Sequence, residues 1–176
     1  MKTSSRFAVA AHVMVVLATE PKRATKSDFL AFSVNTNPVV IRRILGLLKS
    51  AGLVYSRAGR NGGSGLTRPP AEISLLDIYH AVETEDLFHL HYTTPCQNCP
   101  VGFTIQDSLM PALTAAARAM ENELASVSLQ DITEDVVRRS GIGGMMAQGL
   151  SIESLKRDFV YRSGRFLRRD EVNQTD

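Results

Sequence analysis

No apolar run in the 176-residue chain is long enough to span a bilayer, so a helical membrane protein is excluded. The N-terminal apolar stretch 7–18 is interrupted by His12 and lacks a small-residue cleavage site, which argues against a signal peptide. Two cysteines are too few for a disulfide framework. Together these absences lead us to expect a cytoplasmic chain with no membrane partner. No nucleophile motif, phosphate-binding loop or dinucleotide fingerprint occurs, so nothing argues for an enzyme. The glycine-rich run Gly59-Arg60-Asn61-Gly62-Gly63 lacks both the following Lys-Ser/Thr and the strand-to-helix context of a phosphate loop. No internal repeat is present.

What remains is a chain that is 44% hydrophobic and 22% charged, enough for a buried core in one domain or one domain with an appendage. The net charge of +2 conceals a strong partition. Residues 1–70 hold eleven Lys/Arg against two Asp/Glu; residues 71–135 hold one against eleven; residues 136–176 hold eight against five. A basic half of this kind suits a polyanion.

The spacing of residues predicts a largely helical chain. A first helix runs from about Ser5 to Thr19 and is apolar almost all round, so it is buried; His12 within it reads as a hydrogen-bonded core or interface residue. Thr25-Lys26-Ser27-Asp28 has the form of a capping box opening a short helix through Phe32. Asn37-Pro38 is a second start signal, a good cap followed by the residue best suited to the first helical position. Ile41, Ile44, Leu45 and Leu48 then form one apolar stripe, while Asn37, Val39, Arg42, Arg43 and Lys49 lie on or near the other face. Gly52 ends that helix. Residues 53–56 and 65–67 read as a β-ribbon around a glycine-rich loop. Ser74 and Asp77 form another capping box, for a helix through about Val82. Residues 83–100 are irregular and carry His89, His91, Cys96 and Cys99. A long helix from about 101 to 125 follows, kinked or split by Pro111. Ser128 to Asp131 starts a further helix to about Arg139, glycines at 141, 143 and 144 break the pattern, and a basic helical segment is expected over 152–169.

Two helices joined by a tight turn and followed by a basic ribbon give the order of a winged helix-turn-helix: mainly α with a small β-ribbon, plus a long C-terminal helix. With its apolar stripe anchored, the second helix leaves its opposite face for a DNA major groove. Arg42 and Arg43 suit guanine edges or phosphates, Asn37 an adenine or a phosphate, and Val39 a thymine methyl. Arg57, Gly59, Arg60, Asn61, Gly62 and Gly63 make a small positive loop fit for a minor groove. Cys96-Gln97-Asn98-Cys99 is a single CxxC that follows His89 and His91. It suits zinc, a redox disulfide, part of an iron–sulfur cluster, or two ordinary thiols in a loop.

Several stretches resemble the Rrf-two family of bacterial winged-helix transcriptional regulators, the group of IscR, NsrR and CymR types. They are the first-helix run 5–11, the run 40–54 ending in Ala51-Gly52-Leu53-Val54, Gly59 to Gly63, and 66–82 with Leu66-Thr67-Arg68-Pro69-Pro70. Cys99-Pro100-Val101-Gly102 before a long helix resembles the YwnA-type subgroup. The resemblance covers roughly residues 2–135. It implies a homodimer whose long C-terminal helices cross, with two recognition helices in successive major grooves of a pseudo-palindromic operator, acting usually as a repressor. It further implies that Asn37, Val39, Arg42 and Arg43 read the major groove and that 57–64 form the wing. The chain departs from the family pattern at Ala58 and Ser64. It also has two loop cysteines where cluster-binding members commonly have three, so a cluster would need a histidine ligand such as His12, His89 or His91. The expected organisation is a DNA-binding domain (1–82), a sensing loop (83–100), dimerisation helices (101–140) and a basic extension (141–176).

Overall fold

Helix α1 (Arg6–Thr19) is apolar almost all round; Ala10 and residues 13–19 are buried at the centre of the molecule, while Ala8 and His12 are exposed. This computed structural model describes residues 5–20, 23–59, 62–84, 87–88, 90–152, 154, 159–162 and 165–168. Around α1 pack helices α2 (Ser27–Val34), α3 (Pro38–Ser50) and α4 (Leu75–Val82). Met14, Leu17, Leu30, Ile41, Leu48 and Ile78 form the fully buried centre.

The expected capping box at Thr25 is not formed. Lys26 occupies the cap position of α2 without a side-chain hydrogen bond. Thr25 instead exchanges two backbone hydrogen bonds with Ser64, at 2.8 and 2.9 Å, and is buried. Sheet pairing has captured the backbone groups that a helix start would otherwise use. Helix α2 runs two residues beyond the expected Phe32 and closes on Asn35, in the left-handed conformation (φ 57°) that asparagine tolerates.

Asn37 starts α3 as expected. Its side-chain oxygen accepts the Val39 N–H at 2.8 Å, and Pro38 takes the first helical position. Strands β1 (Val54–Arg57) and β2 (Gly63–Leu66) pair antiparallel, with Arg57 opposite Gly63. The ladder therefore ends one residue later on its first strand, and starts two residues earlier on its second, than the sequence suggests. After a 3-10 turn at Pro70–Glu72, the capping box of Ser74 and Asp77 opens α4.

Helix α5 (Pro100–Ser126) is continuous through Pro111, which removes one of the two sequence expectations, a split. It holds no buried residue. Helix α6 (Leu129–Ser140) opens with the expected box of Ser128 and Asp131 and returns onto α1, with Leu129 fully buried in the core. The junction between α5 and α6 is tied to the start of α4: Leu75 N–H donates to Val127 O at 2.9 Å and Leu129 N–H to Ile73 O at 2.8 Å. Gly141 (φ 71°) ends α6, and a short α7 (Gly143–Ala147) follows.

The expected helix over 152–169 is overturned from Phe159 onward, although Ile152 and Ser154 are helical. Strands β3 (Phe159–Arg162) and β4 (Arg165–Arg168) form an antiparallel ribbon, Phe159 opposite Arg168 and Arg162 opposite Arg165. Phe159, Val160, Tyr161, Phe166 and Leu167 are β-branched, aromatic or apolar, and they suit a strand better than a solvated helix. Among the described residues no helix is long and apolar enough to cross a membrane.

Burial pushes the Asp77 carboxyl up, but the Ser74 N–H and hydroxyl and the Arg68 guanidinium outweigh it and hold the group below the usual carboxylate value. A lowered folded value gives stability that is present above the unfolded carboxylate pKa and lost as pH falls through the folded one. Ser74→Ala should cost about 1 kcal/mol in urea unfolding at neutral pH. Asp77→Asn should lose its own disadvantage as the pH drops below about 4.

Candidate nucleic-acid interface

The stripe Ile41, Ile44, Leu45 and Leu48 is buried, which fixes the rotation of α3 about its axis. Arg42 and Arg43 are thereby exposed, and Val39 is 61% exposed, an unusual position for a valine unless something covers it. Asn37 is exposed too, but its oxygen is already engaged in capping. Four of the sequence-selected residues thus lie at the outward side and N-terminal end of one helix.

Three devices set the wing beside that helix. The Thr25–Ser64 pairing adds a single-residue third strand to the ribbon, immediately before α2. The Ser56 and Ser64 hydroxyls meet at 2.9 Å across it. Gly63 has no room for a side chain: a Cβ there would lie 2.7 Å from the Ala24 carbonyl carbon and 2.8 Å from Thr25 O. Gly62 is equally confined, 2.4 Å from Arg57 O. The Arg57 guanidinium carbon sits 5.2 Å from the centre of the Tyr55 ring, a cation–π contact that holds the arginine at the wing's base. Gly59 has φ 103°, a conformation glycine adopts without strain. Arg60 and Asn61 lie outside the described residues.

Helix and wing enclose a cleft of about 460 Å³ lined by Lys26, Asp28, Arg42, Lys49 and Arg57 among others. Four cations and one carboxylate, with the N-terminal end of α2 at its wall, make a cradle for an anion. Sequence reasoning missed Lys26 in this role and placed Lys49 only near the outer face. Arg43 does not line the cleft; it is exposed elsewhere on α3.

The cysteines belong to a different part of the molecule. Cys96 and Cys99 are both free and exposed. Cys99 N–H donates to Cys96 O at 3.3 Å, and Cys99 caps α5. Gly102 allows this turn, because a Cβ there would lie 2.4 Å from Cys96 O. The Gly102 and Val101 N–H groups lower the Cys99 thiol pKa from its ordinary value by stabilising the thiolate. His91 is exposed, and His89 lies outside the described residues. His12 lies at the surface of α1 rather than in the core, its Nε2 3.0 Å from Ser33 Oγ, and desolvation lowers its pKa. Among the described residues no three His, Cys, Asp or Glu side chains gather to hold a metal.

Residues 3–135 match the family model of Rrf2, described as iron-dependent transcriptional regulators. The chain belongs to the Rrf2 family. YwnA of Bacillus subtilis (strain 168), named as an HTH-type transcriptional regulator, is 49% identical over 130 residues, 73% of this chain and 95% of its own length. A crystal structure described as that of a DNA-binding protein is 46% identical, with TM-score 0.60 over 73% of this chain and 98% of that one. CymR of B. subtilis, described as its global cysteine regulator, shares the fold at 21% identity, with TM-score 0.59 over 76% of this chain and 97% of that one. This Rrf2 protein is therefore a winged-helix DNA-binding transcriptional regulator, of a family that is not enzymatic. Iron, which the family description implies, does not fit the donors among the described residues, where two exposed thiols fall short of the usual four ligands.

Two outcomes follow from this geometry. Arg42→Ala and Arg43→Ala should each weaken binding to an operator obtained by in vitro selection by about 1–3 kcal/mol if that arginine reads a base, measured by fluorescence anisotropy. Alkylation by iodoacetamide, followed by mass spectrometry, should modify Cys99 faster than Cys96 at neutral pH. The Cys99 rate should fall only as pH drops through a midpoint below the ordinary thiol value.

Proposed function

We propose that this Rrf2 regulator binds a pseudo-palindromic operator as a cytoplasmic homodimer and represses transcription there. The cationic cleft between α3 and the wing carries this reading. In it, residues 1–82 grip DNA: Asn37, Val39, Arg42 and Arg43 enter the major groove, while Arg57, Gly59, Arg60, Asn61, Gly62 and Gly63 meet the minor groove and its phosphates. A repressor of this kind acts by occupying the site that polymerase needs.

Residues 101–140 pair the protomers. Helix α5 has no fully buried residue within its own chain and exposes Val101, Phe103, Leu109 and Met110, and Leu87, Phe88 and Tyr92 before it are exposed as well. Clustered apolar surface of this kind marks an interface. Two copies joined through α5 would set their α3 helices about one DNA turn, roughly 34 Å, apart.

The loop 83–100 is the sensing element in this reading, and the lowered thiol pKa of Cys99 favours a thiol switch. The Cys99 thiolate attacks a peroxide oxygen, the O–O bond breaks, and a sulfenic acid forms as hydroxide leaves and takes up a proton. The Cys96 thiol then attacks the sulfenic sulfur, its proton leaves with the expelled hydroxide as water, and a disulfide closes.

Sedimentation and anisotropy test both parts together. Wild type should bind the operator with two protomers per site, and Leu109→Asp/Met110→Asp should be monomeric with at least a tenfold weaker grip. Peroxide should lower wild-type affinity and leave Cys96→Ser/Cys99→Ser unchanged. A wild type that binds as a monomer, or a double-serine protein that still responds, would overturn the respective part.

A further inference from the structure

Helices α4 and α5 and the segment between them enclose a second cleft, of about 670 Å³, which shares no lining residue with the cationic one. A space of this size, walled by apolar side chains and a few convergent polar groups, suits a small molecule. We propose that it binds a small amphipathic carboxylate, with the acid group on Arg118 and the apolar body against α5 and the loop, and that this ligand is an effector of DNA binding. The effect on DNA rests on the operator-binding reading above; the site itself does not.

Helical spacing builds the main wall. Met110, Leu113, Ala117 and Glu121 follow one another at three- and four-residue steps along α5, with Arg118 beside them. Leu87, Phe88 and Leu90 supply the loop wall, and Tyr79, His80 and Glu83 the α4 wall. Leu87, Phe88 and Met110 are large apolar side chains left exposed at this cleft. Leu109 lies about 100° round the helix from Met110, and Val101 about 180°. Both stay available to a second protomer while the cleft is filled.

Charge selects the ligand. Arg118 is the only Lys or Arg in residues 71–135, among eleven Asp and Glu. No ion pair holds it among the described residues: Glu83 is taken by Arg6 at 3.2 Å, and Glu121 Oε1 lies 3.4 Å from His80 Nε2. A free guanidinium offers two parallel N–H donors to an incoming carboxylate. Glu83 and Glu121 on the same walls repel a ligand of higher negative charge, and the apolar lining penalises one that is polar throughout. A single acid group on an apolar body satisfies all of these at once.

The cleft joins the two halves of the chain. The Tyr79 ring meets Phe7 edge-on, with centroids 5.7 Å apart, and Glu83 is bonded to Arg6, so the α4 wall is fastened to the start of α1. The facing wall is the middle of α5. A ligand that touches both favours the one arrangement of α4 and α5 that fits it, and occupancy thereby reaches the DNA-binding helices.

The test uses the full-length protein and two matched probe pairs, octanoate with octanamide and 4-phenylbutanoate with 4-phenylbutanamide, in isothermal titration calorimetry without DNA. Wild type should bind at least one acid about tenfold more tightly than its amide, as a charge-assisted bond to Arg118 requires. Arg118→Gln should bind acid and amide alike, and Arg118→Lys should keep part of the preference. Ala117→Phe should fill the cleft and lose all four probes, with its circular dichroism unchanged. A wild type that binds neither acid overturns the site, and so does an acid preference that survives in Arg118→Gln. Sedimentation checks for a protein occupant: if Arg118→Gln or Ala117→Phe is monomeric where wild type is dimeric, the cleft belongs to the pairing surface and the proposal fails. Anisotropy on a selected operator reads the effector role: the preferred acid should change wild-type affinity by about fivefold or more and leave Arg118→Gln unchanged. Binding in the calorimeter with unchanged operator affinity overturns the effector role alone. A wild type that binds the acid but no operator defeats the operator reading and leaves the site standing.

Discussion

Two backbone hydrogen bonds between Thr25 and Ser64 fix the wing relative to the helix-turn-helix, and the cationic cleft exists because of them. Each is worth about 1 kcal/mol net, yet leaving those buried groups unpaired would cost more than that. Thr25 stands at the entrance to α2, so the same bonds also fix where that helix starts. They require the chain at Gly63 to approach Ala24 and Thr25 more closely than any side chain allows. The glycine pair at 62–63 therefore serves packing of backbone on backbone as much as flexibility of the loop.

Much of this fold was legible in the sequence, because its signals are local. Asn37-Pro38, the four-residue stripe of α3 and the boxes at Ser74 and Ser128 each act within one or two turns of chain. The same local logic failed at Thr25, where the pattern of a cap was present but a partner 39 residues away took the backbone groups. It failed again in the tail. Six cations in eighteen residues resemble a basic helix, but the alternation of Phe159 and Tyr161 with Val160 and Arg162 fits a strand. The cleft was half legible: Arg42 and Arg57 stand out as arginines near glycines and a cap, whereas Lys26 becomes a neighbour of Lys49 only once α2 and α3 have packed. The environment of Cys99 depended likewise on where α5 begins, since only a cap residue faces the free N–H groups of a helix.

The partition of charge gains a structural meaning from this arrangement. The basic first 70 residues contain α3 and the wing, and the acidic 71–135 contain α4, α5 and the start of α6. An acidic second half is repelled by a duplex and leaves the basic half to orient the molecule during encounter. The basic extension interrupts that division at the chain's far end, where Ile152 brings it back to α1.

The long helix α5 has a mechanical side. It is held at its foot, where Val127 and Leu129 bond the residues on either side of Ser74, and its head at Cys99 stands about 40 Å away. Like a pointer pivoting at one end, it converts angle into distance: a tilt of about 5° at the foot moves the head by about 3.5 Å. By the same geometry, force applied at the cysteine turn acts on the Ser74 junction with the full length of the helix as its arm, and Pro111 supplies the one place along that arm where a backbone hydrogen bond is missing.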